Sequence, residues 1–227
     1  MDVLSRSYMI IVVGGIKGGS GKTTIATNIA IMRSYEKPNI LLVDADDQET
    51  SYDFSILRNS KEEEKLPQYT CIKLTGKAVR TEILKLKANY SDIIIDTGGR
   101  DTVSQRAALS IADILLIPFV PRSFDLWTLE AVSNVIEEIR QINPNIQPYA
   151  FLNRADSRGL DNSEAQEYIK NTKNIMMLTE SIICNRKVFG NAAAEGKAIT
   201  ELKLKDQKAI LEIKTLYNYV FNEQFDI

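Results

Sequence analysis

Histidine is absent from this 227-residue sequence, cysteine occurs twice and tryptophan once. Without histidine, a histidine-based catalytic triad and a histidine-ligated zinc site are excluded. Cys71 and Cys184 are far apart in the sequence and indicate neither a disulfide framework nor a metal-ligand spacing. No apolar run approaches the roughly 20 residues of a membrane span, and residues 1–7 lack the apolar core of a signal peptide. These absences predict a cytoplasmic protein without a membrane-spanning segment.

The charge of the chain is nearly balanced, with 28 basic and 30 acidic residues and a net charge of -2. A nucleic-acid-binding surface would therefore have to be a local patch, because the overall charge gives no such signal. The hydrophobic content of 44% and the length fit one globular domain with a full core. We predict a single domain over residues 1–227, with a short N-terminal arm at residues 1–8.

A glycine-rich stretch near the N-terminus carries the clearest chemical signal. It follows an apolar run at residues 9–13 and precedes residues 24–32, whose apolar side chains recur at helical spacing. A strand, a glycine-rich turn and Gly-Lys-Thr opening a helix form the arrangement of a phosphate-binding loop. Its backbone N–H groups would hold phosphate, while Lys22 neutralises the terminal phosphates and Thr23 binds Mg²⁺. The residues predicted to hold the nucleotide are Lys17, Gly18, Gly19, Ser20, Gly21, Lys22, Thr23 and Thr24.

Carboxylates follow the next apolar run, residues 40–43, as Asp44 and Asp46. Carboxylates at the carboxyl end of a parallel strand lie where open α/β sheets bind ligands. The alternative is that these aspartates only cap the helix predicted to follow them.

A third apolar run, residues 93–95, ends in Asp96. This pattern matches a Walker B strand, whose aspartate holds the Mg²⁺ shell in phosphate-loop enzymes. Gly98 and Gly99 follow, and their small size would let the backbone approach the terminal phosphate. We predict a Mg²⁺ ligand at Asp96, a nucleotide contact at Gly99 and a switch loop over residues 97–101.

Apolar runs and amphipathic segments alternate along the whole chain, which predicts the α/β class. We expect one doubly wound, mostly parallel sheet with helices on both faces, the fold of phosphate-loop NTPases. The last helix spaces apolar residues on one stripe, which we expect to pack in the core rather than on a membrane. The predicted strands cover residues 9–13, 40–43, 69–74, 92–96, 114–117, 147–152 and 181–184, and the predicted helices cover 22–35, 51–57, 77–89, 102–111, 125–142, 161–172, 188–195 and 206–221.

The K-G-G-S-G-K-T sequence at residues 17–23 resembles the deviant Walker A loop of the ParA/MinD family. That resemblance implies that Lys17 crosses a dimer interface to the partner's nucleotide. Residues 44–48, D-A-D-D-Q, are similar to the family's D-x-D-P-Q segment, with aspartate in place of proline. This implies that Asp46 positions the attacking water and that Asp44 belongs to the Mg²⁺ and phosphate network. Gly98-Gly99 stands where the family more often has two prolines.

Residues 153–156, N-R-A-D, resemble a base-recognition loop of this class of NTPases. By that resemblance Asn153 and Arg154 contact the nucleotide, Asn153 at the purine edge, and ATP is preferred to GTP. The alternative interpretation is a simple turn after a strand.

The family resemblance extends from residue 9 to about residue 221 and is strongest to small ParA proteins without a helix-turn-helix domain. It implies a weak Mg²⁺-dependent ATPase that dimerises with ATP and holds nucleoid DNA non-specifically. A centromere-binding, ParB-like partner would stimulate its hydrolysis, and the protein would segregate plasmid or chromosomal DNA. Residues 186–214 contain seven basic and four acidic residues, which either form a DNA-binding patch or are scattered, solvated side chains. The other function compatible with the same switch is the positioning of a protein cargo, such as a secretion or conjugative transfer assembly. The predicted DNA contacts are Arg186, Lys187, Lys203 and Lys205.

Overall fold

The computed structural model describes residues 8–61, 65–121, 126–157, 159 and 161–222, so most of the predicted N-terminal arm and the first residue of the helix predicted at 125–142 lie outside it. Within those residues seven strands form one sheet, in the order β3-β2-β4-β1-β5-β6-β7, and every pair is parallel. This confirms the predicted α/β fold. The strands are β1 (Met9–Val13), β2 (Ile40–Ala45), β3 (Thr70–Lys73), β4 (Asp92–Thr97), β5 (Ile114–Phe119), β6 (Gln147–Ala155) and β7 (Met176–Cys184).

Eight α-helices connect and flank these strands in the described part of the chain. Short 3₁₀ turns at Lys87–Asn89 and Ile199–Glu201 add to them. None of the described helices is long and apolar enough to cross a lipid bilayer. The helices are α1 (Lys22–Glu36), α2 (Thr50–Asn59), α3 (Ala78–Leu86), α4 (Val103–Leu109), α5 (Leu126–Arg140), α6 (Asp161–Asn171), α7 (Lys187–Ala194) and α8 (Gln207–Phe221).

The sheet is buried on both faces, as its near-continuous apolar strands require. One face packs against α1, α7 and α8, and the other packs against α3 to α6. Ile213 and Tyr217 of α8 are fully buried, which confirms that this helix packs in the core. β7 begins at Met176, five residues before the predicted start. The prediction missed the first part of this strand because the exposed pair Thr179 and Glu180 interrupts its apolar pattern.

α2 is held to the rest of the protein by a polar face. Its buried residues are Ser51, Ser55 and Arg58. The Arg58 guanidinium donates two hydrogen bonds of 2.8 Å to the carboxylate of Glu201, and both side chains are almost fully buried. The same guanidinium also donates to the carbonyl of Pro67 at 2.9 Å. An ion pair therefore fixes α2 to the 3₁₀ turn before α8.

The strand order places the ligand-binding edge at the end of β1. β1 lies between β4 and β5, and the chain extends the sheet to one side through β2 and to the other through β6. The carboxyl end of such a central strand is the crevice where open α/β sheets bind ligands. The register sets Asp96 beside both Val13 and Asp44, so two carboxylates meet directly below the glycine-rich loop.

Candidate nucleotide-binding site

The glycine-rich loop joins β1 to α1 and wraps around the side chain of Lys22. Gly21 precedes the helix with a φ of 90, a left-handed conformation that favours glycine. The Lys22 ammonium is buried and donates a 2.7 Å hydrogen bond to the carbonyl of Lys17. Burial lowers the pKa of Lys22, and the nearby carboxylates of Asp96 and Asp46 oppose that shift. The loop thus presents a cation at the N-terminus of α1, as the sequence predicts for a phosphate site.

Asp96 lies at the bottom of this site and is 1% exposed. Burial raises its pKa to about 7, opposed by a hydrogen bond from Thr23 and reinforced by the neighbouring charge of Asp44. Among the described residues, its Oδ1 atom is buried without a hydrogen-bond partner. A buried carboxylate oxygen without a donor is a suitable ligand for a cation, because an unsatisfied acceptor is otherwise costly.

These residues fit a Mg²⁺ ion that is held partly by the nucleotide. No group of three or more carboxylates or cysteines in the described residues is arranged to bind a metal alone. Mg²⁺ is typically bound through one or two carboxylates together with substrate phosphates. Asp96 and the Thr23 hydroxyl next to it would supply the protein ligands.

Asp44 mainly organises the backbone around the site. Its two oxygens accept backbone N–H groups, from Asp46 at 3.1 Å and from Tyr52 at 2.8 Å. It therefore fixes both the end of β2 and the first turn of α2, as the capping alternative proposed. Its part in the Mg²⁺ network stays a prediction. Asp46 is half-buried, and its Oδ1 atom accepts the N–H of Gln48 at 3.3 Å.

Asn153 and Arg154, at the end of β6, contact the phosphate loop itself. The Asn153 amide donates to the carbonyl of Ser20 at 2.6 Å, and Arg154 donates to the carbonyl of Gly19 at 2.9 Å. A Cβ atom on Gly21 would lie 2.4 Å from the Asn153 amide nitrogen, so only glycine fits there. The predicted purine contact stays a prediction, and the structure adds a role in shaping the loop that the sequence did not reveal.

Two adjoining cavities open at this edge of the sheet. One has a volume of about 610 Å³ and is lined by the glycine-rich loop, Asp46 and the segment after β4. The other, of about 600 Å³, lies between Asn153 and the start of α7. Gly21, Thr24 and Arg154 border both cavities. This division matches a nucleotide, whose polyphosphate would occupy the first cavity and whose nucleoside would occupy the second.

The segment after β4 lies directly against the phosphate loop. A Cβ atom on Gly99 would come within 2.6 Å of the Gly18 nitrogen and 2.8 Å of the Lys17 carbonyl carbon. A Cβ atom on Gly98 would lie 3.1 Å from the Oδ1 atom of Asp46, a tight contact but a looser one than at Gly99. Glycine at position 99 therefore allows a backbone-to-backbone approach that proline could not make. Arg100 also lines the phosphate cavity, although the sequence analysis did not single it out.

The four predicted DNA-binding residues are divided between two places. Arg186 and Lys187 line the nucleoside cavity, and Arg186 is paired with Glu212 through contacts of 2.6 and 3.1 Å. Lys203 and Lys205 follow the second 3₁₀ turn and are exposed, and the Lys205 ammonium donates to a backbone carbonyl. DNA binding by all four stays a prediction.

The sequence matches the family described as the CobQ/CobB/MinD/ParA nucleotide binding domain over residues 11–199. It is 28% identical over 218 residues to maintenance of carboxysome distribution protein A of Halothiobacillus neapolitanus, which covers 95% of this chain and 98% of that protein.

Solved structures of low sequence identity share the fold. A McdA variant from Cyanothece in complex with ATP has a TM-score of 0.75 and 16% identity, over 98% of this chain and 100% of that one. A plasmid partition protein from Borrelia burgdorferi has a TM-score of 0.69 and 16% identity, over 94% of this chain and 98% of that one. Together with the phosphate loop and the buried carboxylate below it, the match over residues 11–199 shows that this chain belongs to the CobQ/CobB/MinD/ParA nucleotide-binding family.

Proposed function

We propose that this protein is a Mg²⁺-dependent ATPase that dimerises when it binds ATP and uses the ATP-bound dimer to segregate DNA. The observation that carries the proposal is the phosphate loop, with Lys22 buried in it and the unsatisfied Asp96 oxygen beneath it. That combination offers a cation to the phosphates and a carboxylate to their metal ion.

Each residue of the site has a role in this reaction. Lys22 binds the terminal phosphates, and Thr23 with Asp96 would hold Mg²⁺, which would neutralise charge that develops on the phosphates. Asp46 borders the phosphate cavity and would orient the attacking water. Asp44 keeps that aspartate in place through its 3.1 Å hydrogen bond from the Asp46 N–H group.

The dimer would form with the phosphate loops of two subunits face to face. Lys17 is half-buried at the start of the exposed Gly18-Gly19 segment, next to the phosphate cavity. In this arrangement its ammonium neutralises phosphate charge on the partner's nucleotide. Dimerisation then depends on ATP, because ADP lacks the terminal phosphate and offers less negative charge for Lys17 to neutralise.

The cargo we favour is plasmid or chromosomal DNA, handled in the cytoplasm on the nucleoid. Exposed Lys203 and Lys205 would contact phosphates of non-specific DNA, and a ParB-like centromere-binding partner would stimulate hydrolysis and release the dimer. The shared fold of the plasmid partition protein from Borrelia burgdorferi is compatible with this cargo.

The second candidate is the positioning of a protein assembly by the same switch. It is favoured by the 28% identity, over 95% of this chain, to a protein named for carboxysome distribution. The pairing of Arg186 with Glu212 also favours it, because a neutralised arginine contributes less to a DNA-binding patch.

DNA binding by the ATP-bound form separates the two candidates. We would measure fluorescence anisotropy of a labelled non-specific duplex at several salt concentrations, with ADP and with a slowly hydrolysed ATP analogue. For DNA segregation, only the ATP-analogue form binds, and K203E/K205E weakens binding and reduces the salt slope by about 1 per lost phosphate contact. Lys170→Glu, at an exposed lysine of α6, is the control and leaves binding unchanged. ATP-bound dimers that ignore DNA would favour the protein cargo.

A further inference from the structure

The loop between β4 and α4, residues 98–101, is fixed at both ends. On one side the Thr97 hydroxyl donates to the carbonyl of Val13 at 3.2 Å. On the other side Thr102 caps α4, since its hydroxyl accepts the N–H of Gln105 at 3.1 Å. Gln105 also accepts the Thr97 hydroxyl at 3.2 Å, so the two ends of the loop are tied to each other.

The loop is held in its middle as well. Gly99 abuts the backbone of Gly18 in the phosphate loop, within a distance that excludes any side chain. Asp101 accepts two hydrogen bonds of 2.7 Å from Arg106, which is also paired with Glu138 on α5. The carboxylate of Asp101 is therefore already neutralised.

Arg100 lies between these two fixed points and is exposed at the mouth of the phosphate cavity. Within the described residues it has no hydrogen bond or ion pair, and its nearest acidic neighbour in the sequence, Asp101, is bound to Arg106. The other arginine that lines this cavity, Arg154, is committed to the carbonyl of Gly19. Arg100 is thus the arginine of the phosphate cavity whose charge is available to a ligand.

We propose that Arg100 is a further catalytic residue, whose guanidinium contacts the γ-phosphate of the ATP bound in the same subunit. The proposal rests on the ATPase function proposed above. The geometry favours the same subunit, because the loop that carries Arg100 packs on its own phosphate loop through Gly99. A planar guanidinium suits this task, since it can donate two parallel hydrogen bonds to phosphate oxygens.

In hydrolysis the oxygen of water forms a bond to the γ-phosphorus, and the bond from that phosphorus to the β–γ bridging oxygen breaks. ADP leaves with the electron pair of the broken bond, and the proton of the water is released with inorganic phosphate. Arg100 exchanges neither electrons nor protons in this step. It stabilises the negative charge on the γ-phosphoryl oxygens, which is how arginines accelerate phosphoryl transfer in related chemistry.

Single substitutions give the first test. In R100A we expect kcat for basal ATP hydrolysis to fall by about 100-fold or more, with nucleotide affinity and ATP-driven dimerisation retained. Guanidinium ion added to the assay should partly restore ATP hydrolysis by R100A, which a purely structural role of Arg100 would not allow. R100K keeps the positive charge but loses the bidentate geometry, so we expect its kcat to lie between those of R100A and the wild-type protein. Arg140→Ala, at an arginine bound to Asn174 at the end of α5, is the matched control. Hydrolysis by R100A at the wild-type rate would overturn the proposal.

A subunit-mixing experiment tests the assignment to the same subunit. In a dimer of one R100A and one K17A subunit, the K17A subunit keeps its own Arg100 and receives Lys17 from its partner. We would therefore titrate K17A with excess R100A, whose Lys17 still reaches the nucleotide of K17A. Each mixed dimer has one complete site, so the mixture of two inactive variants regains ATPase activity in proportion to the mixed dimers formed. If Arg100 acted across the interface, neither site would be complete, and the absence of recovery would overturn the proposal.

The wild-type and K17A proteins distinguish a failure of the ATPase function from a failure of the role of Arg100. The proposed function is contradicted if the wild-type protein lacks ATPase activity, or if K17A hydrolyses ATP and dimerises like the wild-type protein. Either result also overturns the role of Arg100. Normal behaviour of the wild-type and K17A proteins, together with an R100A variant that hydrolyses ATP normally, contradicts the role of Arg100 alone.

Discussion

Replacing Asp96 with asparagine should stabilise the nucleotide-free protein more at pH 8 than at pH 5. Burial raises the pKa of Asp96 to about 7 in the folded protein, against 3.8 for an ordinary aspartate. The folded state therefore keeps a proton that the unfolded chain releases between these pH values. The stability from this proton is fully present below the unfolded pKa and is lost as the pH rises through about 7. Asparagine does not titrate, so D96N lacks this loss.

The size of the effect follows from the two pKa values. Each pH unit between them changes the free energy of unfolding by about 1.4 kcal/mol. From pH 5 to pH 8 the wild-type protein should lose on the order of 3 kcal/mol relative to D96N, because the loss ends near the folded pKa. At roughly 2–4 °C per kcal/mol for a chain of this size, the gap in Tm widens by about 6–12 °C. The sequence has no histidine, so few other side chains titrate in this range.

The assay is thermal and urea unfolding of both proteins at pH 5 and pH 8, first without ligands and then with Mg²⁺ and ADP. Mg²⁺ with ADP should stabilise the wild-type protein, whereas D96N should gain only the Mg²⁺-independent part. An equal difference between the two proteins at both pH values would refute the reasoning, because it would mean that Asp96 is ionised throughout and has a partner in the folded protein.

Three further substitutions test contacts around the site. Gly99→Ala places a methyl group 2.6 Å from the nitrogen of Gly18, so we expect calorimetry to show a loss of about 1–3 kcal/mol of stability. Arg58→Met removes the ion-pair partner of buried Glu201 and should lower the free energy of urea unfolding by about 3–5 kcal/mol, whereas R58M/E201M should lower it less. Asn153→Ala removes the donor to the phosphate-loop carbonyl and should weaken nucleotide binding in titrations by about 1–3 kcal/mol. Wild-type values would contradict each argument.

Local pattern was sufficient to predict the fold and the meeting of two carboxylates below the glycine-rich loop. The apolar strands are buried on both faces, so their composition alone indicated a parallel sheet. The strand ends at Asp44 and Asp96 meet because parallel strands in register align their carboxyl ends, which the alternation of strands and helices implied. The helix after the glycine-rich loop begins at Lys22, as predicted from its Gly-Lys-Thr opening.

Contacts between distant parts of the chain could not be predicted in the same way. The bonds from Asn153 and Arg154 to the phosphate loop join residues more than 130 positions apart, and nothing local marks them. The pairing of Arg186 with Glu212 depends on how α8 packs beside β7, so a count of basic residues overstated the charge available for DNA. Arg100 likewise lacks an ion pair because Asp101 binds Arg106 instead, a choice between two arginines that the sequence does not indicate.

Sedimentation velocity tests the central claim, nucleotide-driven dimerisation through the phosphate loop, most directly. We would compare the wild-type protein, K17A and the control Lys37→Ala, whose lysine is exposed at the far end of α1, each with Mg²⁺ and either ADP or ATP. The account predicts monomers with ADP, dimers with ATP for the wild-type protein and the control, and monomers under both conditions for K17A. Dimers of K17A with ATP, or a wild-type protein whose sedimentation is the same with both nucleotides, would contradict it.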